Sequence, residues 1–217
     1  MKKQILKLVP LVLSFALVFS FLQNQAKGQI HPQNPGLSQS AAGLQGTMRK
    51  LWIDHTIWTR SYIVSAIDGL KDQDKVLTRL LKNQEDIRNA IKPYYGEAAG
   101  NTLTALLKEH ILLAGKVIDA AKSGNQNDIK KYNAEWYKNA DSLAAFLSKA
   151  NPGWSKKDLQ SLLYIHLKLV TDQVIPRIKK DWDAEILAYD MGEDHIIKLA
   201  DYLSSGIIKQ FPKKFQN

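Results

Sequence analysis

A chain of 217 residues with 45% apolar and 24% charged positions can bury one ordinary core and has neither a disordered nor a fibrous composition. It contains no cysteine, which excludes a disulfide framework, a thiolate metal site, a lipid-modified amino-terminal cysteine and a cysteine nucleophile. The formal charge of +9 is inflated by Lys2, Lys3, Lys7 and Lys27. The rest is mildly basic, which suits an anionic envelope surface and does not by itself imply nucleic acid.

Those lysines lie in an acid-free leader. Lys2, Lys3 and Lys7 precede an apolar run from Leu8 to Leu22, and the small residues Ala26 and Gly28 follow. This is the pattern of a secretory signal over residues 1–28, with cleavage expected after Gly28 and retention as an anchor the alternative. The mature protein is then expected to be secreted or held at the cell surface, with no stable membrane span once the signal is removed. Residues 29–45 are rich in Gln, Pro, Gly and Ser without an apolar period and read as a disordered linker, His31 included.

From residue 46 to the end, apolar residues recur at threes and fours and nothing alternates as a strand would. Helix one, about 46 to 70, carries Leu51, His55, Trp58 and Tyr62 on one stripe. Helix two, about 72 to 91, uses Val76, Leu80, Ile87 and Ile91, and is expected to break at Pro93. Helix three, about 97 to 122, uses Leu103, Leu107, His110 and Val117, and stops at Gly124. Helix four, about 127 to 149, runs through Trp136, Leu143 and Leu147 to the Asn151-Pro152-Gly153 turn. Helix five opens with a capping box formed by Ser155 and Asp158 and carries Leu159, Leu163, His166 and Val174, with a kink or division expected at Pro176. The pattern resumes at Ile178, loosens at Met191-Gly192, and ends in a last helix through Leu199 and Leu203 to Pro212. The expected fold is an all-α, up-down bundle of about six helices.

A weak internal repeat runs at an offset of 56 residues. Asn83, Leu103, Leu107 and His110 reappear as Asn139, Leu159, Leu163 and His166, which suggests two helix-turn-helix units.

His55, His110, His166 and His195 each lie on or beside an apolar stripe. A single histidine so placed is usually a hydrogen-bonded core residue. Four on separate stripes that point at a common axis also make a candidate site for a transition metal or haem. A rise of 1.5 Å per residue puts His110 roughly 20 Å along helix three and His166 roughly 17 Å along helix five, so the two share a level. Di-iron carboxylate chemistry needs an acid three residues before each histidine. Those positions hold Trp52, Leu107, Leu163 and Gly192, which excludes it.

Asp72-Gln73-Asp74 and Asp181-Trp182-Asp183 match a short acidic cation-binding pattern but fall in helices, where they read as solvated charge. There is no glycine-rich phosphate loop, G-x-S-x-G elbow or H-E-x-x-H pair. The five tryptophans read as packing and turn anchors. In the carboxy-terminal GIIKQFPKKFQN, a docked helix end followed by a solvated tail is expected, with contact to an anionic surface through Lys209, Lys213 and Lys214 the alternative.

The blocks LWIDHTIWTR, NQEDIRNAIKPYYG, LTALLKEHILLAGKVIDAAKSG, NADSLAAFLSKANPGW and SGIIKQFPKKF resemble a family of small exported helical proteins from Bacillus-like spore-forming bacteria. Some members are described as glycosyltransferases or acetylglutamate kinases. Both activities normally use α/β nucleotide-binding domains, for which this sequence offers no element. The expectation is therefore a helical bundle that acts by binding rather than catalysis.

Overall fold

The structure, a computed structural model, describes residues 36–216. The expected signal segment, residues 1–28, and the first part of the expected linker lie outside them. All the described elements are helical: α1 (Gln39–Asp68), α2 (Gln73–Ser123), α3 (Gln126–Ala150), α4 (Lys156–Lys179), α5 (Trp182–Gln210) and a 3-10 helix (Pro212–Phe215). The helices close a ring, each packing on the next in chain order and α5 returning to α1. None is long and apolar enough to cross a membrane.

The second part of the segment expected as linker is helical. Helix α1 begins at Gln39, where the Ser38 hydroxyl accepts from the Ala41 N–H at 3.3 Å. Ala41 and Leu44 are buried on the same row as Met48. Small and amide residues dilute the apolar period here, but spacings of three and four continue it.

Two of the expected breaks are displaced, and one is missing. Hydrogen bonding carries α2 past Pro93, and the chain bends at Gly96, whose φ of 81° belongs to the left-handed side that glycine tolerates. Proline removes one N–H and crowds the preceding turn, but the bend needs a residue free of the β-carbon penalty. Helix α2 thus has an amino arm, 73–95, and a carboxy arm, 97–123. Pro176 does not divide its helix either; α4 runs on to Lys179 and stops in a Schellman turn. There Lys180 takes φ 60°, its N–H donating to the Arg177 carbonyl while that of Asp181 donates to the Pro176 carbonyl. Gly192 lies inside α5, buried, and the missing β-carbon admits the Gln173 amide, 3.3 Å from where that carbon would stand. The merged α2 and unbroken α5 make five helices in place of about six.

Local chemistry accounts for the other ends. Asn125 and Asp181 accept from the N–H groups three residues on, at 3.2 and 3.1 Å, and Ser155 accepts from Asp158 N–H at 3.3 Å. The reciprocal half of the expected capping box is replaced by the Tyr202 hydroxyl, which accepts from Ser155 N–H at 2.8 Å. The two acidic patterns are helix starts: Asp181 is an N-cap, and Asp72 accepts from the Ser65 hydroxyl at 2.8 Å.

The carboxy-terminal segment is not a solvated tail. Phe215 is buried and stacks on Tyr94 at 5.6 Å, while Phe211 meets Tyr94 and Tyr95, and Tyr95 meets Trp154. These aromatics cover one end of the core. Trp182, unlike the turn residue Trp154, is half exposed beneath the Arg177 guanidinium.

Candidate functional site

Helices α1, α2 and α4 each turn one histidine stripe inward, and His55, His110 and His166 meet in the core. All three are buried, with ring centroids 5.4 Å apart for His55 and His166 and 6.1 Å for His110 and His166. One turn along the same stripes, Trp52, Leu107 and Leu163 line an apolar cavity of about 30 Å³. It offers a water no polar partners. His195 is buried too, but does not join the rings: its Nε2 donates to the Leu162 carbonyl at 2.8 Å.

Burial holds these imidazoles neutral, because a dry core disfavours the charged form. His55 is lowered to about 3 by burial and by its neighbour His110. Burial lowers His110 to about 4, partly opposed by Asn139 and Glu109. His166 lies well below its ordinary value through burial and then the other three histidines, and His195 is lowered by burial, with the Leu162 carbonyl opposing.

The partners of His110 assign its tautomer. The indole N–H of Trp136 donates to His110 Nε2 at 3.2 Å, so the His110 proton sits on Nδ1 and is donated to Asn139 Oδ1 at 2.9 Å. The Asn139 amide then donates to the Leu106 carbonyl at 3.1 Å and to Glu109 at 2.9 Å. The Gln84 amide nitrogen lies 3.4 Å from His55 Nδ1, and His55 Nε2 faces His166 Nε2 at 3.4 Å. The two N–H groups of that amide go to the Leu80 carbonyl at 2.9 Å and to Asn83 Oδ1 at 3.1 Å, while its Oε1 is buried without a partner.

Three of the four histidines expected to share a metal, His55, His110 and His166, are thus gathered as rings, and His195 is not. Both nitrogens of His110 are engaged, and among the described residues no group of three or more His, Asp or Glu is placed to hold a metal ion. Only His55 and His166 oppose their nitrogens. Two bonds of about 2.05 Å spanning their separation would subtend roughly 110° at a metal, close to tetrahedral. Haem does not fit, because rings packed this closely leave no slot for a porphyrin.

Of the two asparagines expected to support the histidines, Asn139 does so directly. Asn83 instead donates to the Leu51 carbonyl at 3.0 Å, and its neighbour Gln84 takes the place beside His55. The same reach across a helix pair occurs three times. Asn83 to Leu51, Asn139 to Leu106 and His195 to Leu162 are pairs 32, 33 and 33 residues apart. In each, the accepting carbonyl lies one turn before His55, His110 or His166. Gln84 was not singled out in the sequence, and Trp136 was read there only as packing on the helix-four stripe, not as a histidine partner.

A charge cluster around the buried Glu185 was missed as well. Glu185 accepts from Arg60 at 2.9 Å and from Arg177 at 3.4 Å, and Arg177 also pairs with Asp68, which joins α4 and α5 to α1. In comparisons with protein-family models, curated proteins and solved structures, nothing matches this chain, so its own geometry carries the functional reading.

Proposed function

We propose that this is a secreted or cell-surface binding protein built from three helical hairpins around an axis of neutral imidazoles. The hairpins are α1 with the amino arm of α2, the carboxy arm of α2 with α3, and α4 with α5. The observation that carries the reading is the thrice-made bond from the second arm of each hairpin to the carbonyl before the histidine of the first. It extends the two-unit repeat to a third copy, in which His195 replaces asparagine. In this reading the imidazoles set the register of the hairpins, and catalysis is no part of their work: their nitrogens face one another and internal partners, away from solvent. The resemblance to exported helical proteins agrees with it.

Two measurements test the proposal. Cell fractionation is expected to find the protein in the medium, or on the envelope and released by salt, because contact through exposed lysines is screened. Sugar nucleotides and ATP are expected to leave its Tm unchanged. A shift with either would replace binding by the glycosyltransferase or kinase reading.

One observation favours a second reading, a two-histidine metal site: the opposed Nε2 atoms of His55 and His166 at 3.4 Å. Occupancy requires both facing Nε2 atoms to be free of a proton, with each ring proton on Nδ1. Elemental analysis of untagged protein, followed by titration with zinc and copper, decides between them. Stoichiometric metal lost in both His55→Ala and His166→Ala supports this reading, and a protein that stays empty leaves the histidines as structure.

A further inference from the structure

The three hairpins meet at three junctions, and corresponding positions are filled differently. Where α4 and α5 meet α1, the space is packed with charge: Glu185 lies buried between Arg60 and Arg177, and Arg177 reaches Asp68. Where α1 meets the carboxy arm of α2, Tyr62 lays its phenol against Gly115, the hydroxyl 3.0 Å from where a β-carbon would stand, and Lys122 donates to the Ala66 carbonyl at 2.6 Å. At the third junction the carboxy arm of α2 and α3 meet α4. The repeat places Ala121, Ile129, Thr171 and Lys179 there in the positions of Arg177, Glu185, Arg60 and Asp68. All four line an open groove of about 410 Å³ floored by Val174 and Trp136.

We propose that this groove binds a single-chain amphiphile, its aliphatic tail against Ile129, Val174 and Trp136 and its anionic head on Lys179. The volume lies within the roughly 300–1,000 Å³ of small-molecule sites, and the lining is apolar with a few polar groups at the edge, as in such sites. The ion-paired side chains of the first junction are replaced here by shorter or uncharged ones, which leaves an apolar trough for another molecule to fill. Ile175 and Ile178, 45% and 36% exposed, extend the apolar wall along α4. Lys179 is the only charged residue of the lining and makes no ion pair among the described residues, and Lys180 follows it. A cation alone at the rim of an apolar trough selects an anionic head group over a neutral or cationic one.

This proposal rests on the three-hairpin correspondence, and the two are separable by experiment. The intact protein is titrated calorimetrically with dodecanoate below its micelle concentration, with dodecyltrimethylammonium and butyrate as head and tail controls. The expected result is one saturable site for dodecanoate, absent for both controls. Thr171→Trp, which fills the trough at its rim, is expected to abolish binding while circular dichroism and Tm report an intact fold. Lys179→Gln is expected to weaken it about tenfold. No saturable binding, equal binding in Thr171→Trp, or equal affinity for the cationic amphiphile would overturn the site. The correspondence has its own readout: Ile129→Glu and Thr171→Arg together transplant the Glu185–Arg60 pair, and a double-mutant cycle on stability is expected to show favourable coupling. Coupling without dodecanoate binding refutes only the site, whereas absence of coupling refutes the correspondence.

Discussion

The indole N–H of Trp136 donates to His110 Nε2 across 3.2 Å in the core. This bond joins α3 to the carboxy arm of α2 and keeps His110 from turning its nitrogen toward His55 and His166. Trp136→Phe keeps most of the apolar volume but strands a buried acceptor. It is expected to cost about 1–3 kcal/mol, read as a lower urea midpoint at an unchanged m-value.

Acid should unfold the protein before its carboxylates titrate. His55 and His110 bind protons only near pH 3 and 4 when folded, but near 6.5 when unfolded. The unfolded chain therefore takes up more protons between those limits. The stabilisation is complete above pH 6.5 and falls with pH toward the folded values, by up to about 1.4 kcal/mol per pH unit for each histidine. Urea midpoints measured from pH 8 to 4 are expected to fall steeply below pH 6.5, and His110→Gln to flatten the slope.

Lys180 ends α4 in a left-handed conformation that costs an L-residue about 1–2 kcal/mol. Glycine removes that cost but gives back part of it as unfolded-state entropy. Lys180→Gly is expected to raise stability by up to about 1 kcal/mol, measurable as a higher Tm.

Glu185 is 2% exposed and faces both Arg60 and Arg177. Glu185→Gln leaves two guanidiniums without their shared charge and is expected to cost about 3 kcal/mol, near the low end for broken buried pairs because Arg60 keeps some solvent. Urea denaturation checks the loss. Adding Arg60→Met should recover part of it, since the stranded charge is then gone.

Helix identity and inward faces were legible wherever long apolar stripes ended in side chains of known chemistry, as in α4 from the Ser155 cap through Leu159, Leu163 and His166. Terminal detail was less so. Gln39 to Gln45 look like linker because alanine and glutamine add little apolar signal, yet Ser38 caps them and Ala41 packs. Gly192 looks like a break because propensity weighs backbone entropy, whereas here tertiary contact with Gln173 decides. The histidine trio followed from shared level and stripe. Its exclusion of His110 as a ligand did not, because that depends on Trp136 in another helix, and the direction of a ring nitrogen leaves no mark in apolar periodicity.

The return of α5 to α1 also bears on how the chain is made. Arg49 and Asp201 form a two-pronged pair at 2.6 and 2.7 Å although 152 residues separate them, so closing the ring carries the entropy cost of a long-range contact. Each hairpin can zip from local contacts as it emerges, but the face of α1 bearing Arg60 and Asp68 has no partner until Glu185 and Arg177 arrive. A chain delivered amino end first therefore waits with that seam unclosed, and the seam is where a chaperone or a second copy would compete with its own last helix.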